Sequence, residues 1–378
     1  MSEARVAERS TEAAPVGGAI LAQPVAVTVP DGAKVGQAFP IEAPGYGQVQ
    51  VAVPAGVKAG QVIQVVVPTQ PLEMTGFGAV GSLLGASSVI EVNQRVLLWE
   101  TISGGCCEQQ NIFDIKLEGK DGPRVLLAKE SSQCCDRVFC KPHHALLVHV
   151  SPYYDPERVL LTLERKGCEC HKCCFSHKPC LGCWSCSNIC TEEVTIHEGR
   201  VDGVAGSLKN PNPVAVISQP KQCCKPHGCT PKLDFIPAGE GAVPTGTTTG
   251  PMCFGGCSEL CCTSEFNYNS GADDVSIVHL LPRSCWEFFK AVCTDSDNYR
   301  ISMATTTAPD TRVQALATSL LLDYMFFEID QGMCRYDQGR KQCVFTCCLC
   351  FCYGCLMPCE CCIPLGNGKP PAAEDAAA

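Results

Sequence analysis

The chain has 378 residues, a formal net charge of −10, 46% hydrophobic residues and 32 cysteines. That length allows two or three domains, or one large all-β domain with attachments. The acidic balance excludes nucleic acid as the main partner, because phosphate contacts need clustered Lys and Arg, but it leaves room for an anionic membrane surface met by a local basic patch. Such a cysteine density in a short secreted protein would mean a disulfide framework. The opening segment, MSEARVAERSTEAAPVGG, mixes acids and bases around no apolar stretch, so no signal peptide is expected. Reduced thiols are then expected, which leaves lipidation, metal binding or plain burial as their uses. Many are adjacent pairs, among them Cys106-Cys107, Cys134-Cys135, Cys347-Cys348 and Cys361-Cys362, and sequence neighbours make poor partners in a relaxed disulfide.

In chain order, residues 1–22 are rich in Ala, Glu and Ser and are expected to be disordered. An internal repeat follows. Val27-Thr28-Val29-Pro30-Asp31-Gly32 through Gly36-Gln37 matches Val51-Ala52-Val53-Pro54-Ala55-Gly56 through Gly60-Gln61. Each copy reads as strand, Pro-x-Gly turn, Lys, Gly-Gln and strand, so a small two-copy β module is predicted over 23–70. The Gly, Ser and Leu mixture of 71–88 reads as a linker. Beyond it come short apolar runs, Val89–Val92, Arg95–Glu100, Ile112–Leu117, Arg124–Ala128, Ala145–Val150, Val159–Glu164, Val194–His197 and Val214–Ile217, at the spacing of a sandwich or barrel.

One helix is predicted near the end, with Asp310 as its N-cap and Thr311–Glu328 as its body. It is apolar nearly all round, which marks a helix buried on every side or a membrane span. A span needs about 20 consecutive apolar residues, and this run is shorter and holds Asp323, so burial is the favoured reading. The tail over 331–378 alternates Cys with Phe, Leu, Val and Tyr from Gln342 onward and ends in KPPAAEDAAA, expected to be disordered.

Several pieces taken together resemble the phospholipid scramblase family. They are Asp295-Ser296-Asp297-Asn298-Tyr299-Arg300-Ile301, Leu322-Asp323-Tyr324-Met325-Phe326-Phe327-Glu328, Val96-Leu97-Leu98-Trp99-Glu100, Cys134-Cys135 with Arg137, Thr162-Leu163-Glu164-Arg165, Cys229-Thr230-Pro231-Lys232 and Trp286. The resemblance covers roughly 89–330. It implies a tubby-like fold, a closed antiparallel β-barrel around the C-terminal hydrophobic helix, and so makes that helix the barrel's plug. It also implies ATP-independent, bidirectional, calcium-stimulated movement of phospholipids between leaflets. The partners would then be membrane phospholipids, and the protein would sit on the cytoplasmic side of the plasma membrane. Two rivals share the composition: a tubby-like phosphoinositide-binding adaptor without transport, and a zinc-binding Cys-rich interaction protein. The sequence holds no G-x-S-x-G elbow, phosphate-cradling Gly loop or HExxH, so a conventional catalytic enzyme is not expected.

The family's calcium loop, related to the EF-hand, places its oxygen ligands at alternating positions. Asp295 and Asp297 would supply carboxylates, and Tyr299 and Ile301 backbone carbonyls. Arg300 stands at the sixth position in place of Gly, and Thr306 at the twelfth in place of an acid. Both departures weaken binding, to about 10⁻⁴ M or poorer. The alternative is an acidic turn that leads to the helix.

Cys168, Cys170, Cys173 and Cys174 run into Cys180, Cys183, Cys186 and Cys190. The second set has ferredoxin spacing, but Thr191 follows where Pro belongs and no complementary set completes a second cluster. Two readings remain. A zinc ion is one, with His171 and His177 near CxxC pairs; S-acylation, which the resemblance implies, is the other. Cys343 to Cys362 suit acylation in an interfacial segment, with an apolar stretch packed on the barrel as the competitor.

Overall fold

The VPxGxxxGQ repeat folds into four strands, β1 (Ala22–Thr28), β2 (Ala38–Ala43), β3 (Gly47–Ala52) and β4 (Val62–Pro68). β1 pairs with β4 and β2 with β3, both antiparallel. The two copies occupy equivalent places. The Gln37 side chain accepts the Lys34 N–H at 3.0 Å and Gln61 accepts the Lys58 N–H at 2.8 Å. The copies then cross-pair, Val29 N–H to the Gln61 carbonyl and Val53 N–H to the Gln37 carbonyl. Val27, Val51 and Val65 fill the space between. The computed structural model describes residues 22–34, 37–43, 47–54, 57–68, 75–95, 111–119, 121–132, 145–166, 192–220, 228–282, 298–327, 334–352 and 355–364.

A helix occupies part of the expected linker. In α1 (Gly76–Leu84) the residues Ala79, Val80, Leu83 and Leu84 are buried. The sequence hides this face because Gly and Ser dilute its i, i+1, i+4, i+5 apolar pattern.

Next come β5 (Val89–Gln94), β6 (Ile112–Leu117), β7 (Arg124–Ser131), β8 (Leu146–Pro152), β9 (Leu161–Arg165) and β10 (Glu193–Glu198). A side hairpin of β11 (Asp202–Val204) and β12 (Ser207–Lys209) precedes β13 (Pro213–Ser218), β14 (Lys232–Pro237) and β15 (Gly246–Thr249). After a two-residue strand β16 (Cys253–Phe254), the main sheet resumes with β17 (Glu265–Ser270), β18 (Asp273–His279) and β19 (Asn298–Ser302). Leaving aside β11, β12 and β16, each strand from β5 to β19 pairs with its successor, and β19 returns to β5. The result is the expected closed antiparallel barrel, of 12 strands. Period-two alternation fixes the lining. In β17, Phe266 and Tyr268 are buried while Glu265, Asn267 and Asn269 are exposed. Gly271 opens the two-residue turn from β17 to β18 at φ 62°, a conformation that costs glycine nothing.

The expected plug is α2 (Pro309–Leu322), extended by a π-helical turn over Asp323–Phe327. Val313, Leu316, Leu320, Leu321 and Leu322 are buried. The N-cap differs from expectation. Pro309, whose fixed φ suits the first helical position, makes Ala308 the cap residue and leaves Asp310 exposed in the first turn. The capping carboxylate comes instead from Asp273 of β18, which accepts the Ala308 N–H at 3.1 Å and the Thr311 hydroxyl at 3.0 Å. Below it the buried Arg312 guanidinium donates to the carbonyls of Thr307, Ala304, Thr305 and Ser87.

Both ends of the plug are covered. At the N-terminal end α1 packs on α2, and a Cβ on Gly81 would stand 3.0 Å from that of Pro309. At the other end lies a second sheet of β16, β20 (Cys334–Asp337), β21 (Gln342–Cys352) and β22 (Cys355–Pro364). Here the tail, read as an apolar segment, is three laddered strands. Phe254 of β16 meets Phe326 at 5.0 Å between ring centroids, and Phe351 of β21 meets it at 6.3 Å.

Candidate functional site

The family signature enters the barrel as β19, which is laddered to β18 on one side and β5 on the other. Alternation sends Tyr299 and Ile301 inward, where both are buried, and Arg300 to the opposite face. The Tyr299 hydroxyl donates to Asp323 Oδ1 of the plug at 3.1 Å, which accounts for a carboxyl inside an apolar helix. Arg300 stands opposite Glu91 on β5, and its Nε and Nη2 donate to Glu91 Oε1 at 3.2 and 2.6 Å. The cation in the acidic motif is thus matched by a carboxylate across the sheet.

The foot of the plug is held by further polar contacts. Tyr324 donates to buried Glu130 at 3.2 Å, and Glu130 also accepts the Asn111 N–H at 3.1 Å. His279 of β18 stacks on Phe327 at 4.6 Å and an interplanar angle of 11°. Through Nδ1, His279 joins Glu259 of the 3-10 turn Gly256–Leu260. Glu259 also accepts the Ser264 hydroxyl at 2.5 Å and the Gly255 N–H at 2.7 Å. Burial alone would raise the Glu259 carboxyl, but His279, Ser264 and Gly255 together outweigh it and hold the group below its ordinary range. Sequence reasoning missed this constellation because its members are separated in sequence and carry no motif.

Of the sequence-predicted metal ligands, Asp295 and Asp297 lie outside the described residues, whereas Tyr299 and Ile301 sit inside β19. A five-residue strand runs about 13 Å from first to last Cα, so Asn298 and Ser302 stand well apart. Thr306 lies past the far end, exposed in the turn before α2. Cys168, Cys170, Cys173, Cys174, Cys180, Cys183, Cys186 and Cys190 all lie outside the described residues. Among the described residues, no helix is long and apolar enough to cross a membrane.

The family model for scramblases matches residues 70–329, from just before α1 to the end of the π turn. The chain belongs to the scramblase family. Its scramblase domain is 27% identical over 241 residues to phospholipid scramblase 2 of Bos taurus, covering 64% of this chain and 69% of that protein. It is 26% identical over 239 residues to phospholipid scramblase 1 of Homo sapiens, covering 63% of each. No solved structure matches. All four strands of the repeat module and the sheet strands β20 to β22 fall outside the matched span. The chain therefore carries additions on both sides of its family domain.

Proposed function

We propose that the chain moves phospholipids between membrane leaflets, in both directions and without ATP, from the cytoplasmic side of the plasma membrane. The supporting observation is the family match, which takes in every strand of the closed barrel and the helix inside it. The lipid would be moved rather than chemically altered. Because the lumen is filled by α2 and covered at both ends, the path for a headgroup runs over the outside of the barrel rather than through it. Calcium would act weakly at Asp295 and Asp297, near the Asn298 end of β19, to which Tyr299 and Ile301 belong.

Attachment would come from acylation of cysteines within 168–190 and of exposed tail thiols such as Cys361 and Cys362, since a single lipid chain or short apolar patch binds reversibly. Exposed Tyr336, Met357 and Ile363 on the same second sheet would add apolar contact. Hydroxylamine should release the protein from membranes; retention after complete thioester cleavage would exclude acylation as the anchor.

Reconstitution into liposomes with a leaflet-selective quencher tests the main reading. Inner-leaflet label should become quenchable, faster with millimolar calcium and slower in an Asp295→Ala/Asp297→Ala variant. The filled lumen also favours a second reading, a lipid-binding adaptor. Vesicle binding with no gain in quenchable label, with or without calcium, would select it.

A further inference from the structure

The second sheet places four cysteines on neighbouring positions of three adjacent strands. Cys348 and Cys350 are two residues apart on β21 and so share a face. Cys253 of β16 stands directly opposite Cys350, and Cys359 of β22 directly opposite Cys348. The thiols converge. Those of Cys253, Cys348 and Cys350 all lie within 4.8 Å of one another, and the Cys253–Cys350 pair is 3.0 Å apart. Cys359, paired with Cys348 across the ladder, places a fourth cysteine beside these three. Tetrahedral zinc with Zn–S bonds of about 2.3 Å puts its sulfurs about 3.8 Å apart, so the closest pair, at 3.0 Å, has to open by only about 0.8 Å to admit an ion.

We propose that Cys253, Cys348, Cys350 and Cys359 form a structural zinc site. It is distinct from the cysteine run over 168–190 and lies outside the barrel core. Binding would release one proton per coordinated thiol as the thiolates form, with no change in oxidation state. The second observation is mechanical. Met357 to Pro364 of β22 are all exposed, so among the described residues this stretch shows no buried apolar face, and it is laddered to β21. Among the described residues, β16 is the piece that joins this sheet to the chain of the barrel between β15 and β17. A metal that took one ligand from β16, two from β21 and one from β22 would lock this exposed strand to the barrel's own chain. The site is built across a bulge at Cys347, where the ladder between β21 and β22 shifts register between Thr346 and Cys348. A Cβ on Gly256 would come 2.4 Å from the Thr346 carbonyl oxygen, so the 3-10 turn after β16 is pressed against that bulge and fixes Cys253 in place.

The assignment removes Cys348, Cys350 and Cys359 from the acylation sites of the tail and leaves Cys361 and Cys362 available. The test uses the full chain, purified reduced and without chelator, and site-resolved alkylation read by mass spectrometry. With zinc present, Cys253, Cys348, Cys350 and Cys359 should alkylate at least tenfold more slowly than Cys261 and Cys362, and chelation should abolish the difference. This readout needs no variant and is blind to any metal held by residues 168–190. A Cys348→Ser/Cys350→Ser variant should in addition lose one zinc equivalent per chain and the cobalt-thiolate charge-transfer band after cobalt exchange. Equal alkylation rates before and after chelation would overturn the proposal. So would recovery of Cys253 and Cys350 as a disulfide, or of the four cysteines as thioesters.

Discussion

Buried charges in this barrel are matched at single residues, and each match can be broken alone. Arg95 donates to Asp114 at 2.6 Å, Arg165 to Glu192 at 3.1 Å, and Glu164 meets His197 at 3.0 Å. The Glu259 carboxyl is the most telling because its folded state favours the ionised form. A carboxyl held below its ordinary value of 4.5 contributes stability that is complete above that pH and is lost as pH falls through the folded value. Wild-type melting temperature should therefore fall as pH drops below about 4.5, and Glu259→Gln should both lower it at pH 7 and flatten that acid limb. The loss at neutral pH should be about 1.5–3 kcal/mol, as for other hydrogen bonds to charged groups. Thermal melts of both proteins from pH 3 to pH 7 check it; parallel curves would show that Glu259 does not carry the acid sensitivity. Tyr299→Phe, which removes the donor to Asp323, should cost about 1–3 kcal/mol in denaturant unfolding.

At the scale of elements, the sequence exposes the plug and the apolar strands and conceals the rest. The Leu-rich run before Asp323 has no polar face, so its burial was readable, and β6 was predicted with its observed limits. β17 and β18 were not legible, because Glu265, Asn267, Asn269 and Asp274 stand on their outer faces, Asp273 opens the inner face of β18, and only Phe266, Tyr268, Val275 and Ile277 mark the inner faces as apolar. β19 was read as an acidic loop although Tyr299, Arg300 and Ile301 alternate as a strand does. The four-thiol cluster was illegible for another reason: Cys253 and Cys350 are 97 residues apart, and only strand register brings them together. The π turn at the end of the plug sets Phe326 and Phe327 among Phe254, Phe266, Tyr299 and His279. Phe327→Ala should destabilise by about 3–5 kcal/mol, since the rigid barrel cannot collapse onto the void. Asp273→Ala, which strips the cap of α2, should cost about 1 kcal/mol. Equilibrium unfolding in urea measures both, and a larger loss from Asp273→Ala than from Phe327→Ala would contradict this account of the plug.

For the molecule as a whole, the meander from β5 to β19 has a kinetic consequence. Each strand can join the sheet as soon as it leaves the ribosome, yet closure waits for β19, whose Arg300 reaches Glu91 across 209 residues. The helix that fills the barrel is made later still. For most of its synthesis the domain is therefore a curled, unclosed sheet with an apolar concave face and two unpaired edges, the condition in which strands recruit one another between chains. A chain ending at Ser302, which keeps every barrel strand but lacks α2, should be degraded by a protease dose that leaves the full chain intact, and should be recovered with holdase chaperones. In this protein the last segment of the domain to be translated is the one that makes all the earlier ones safe.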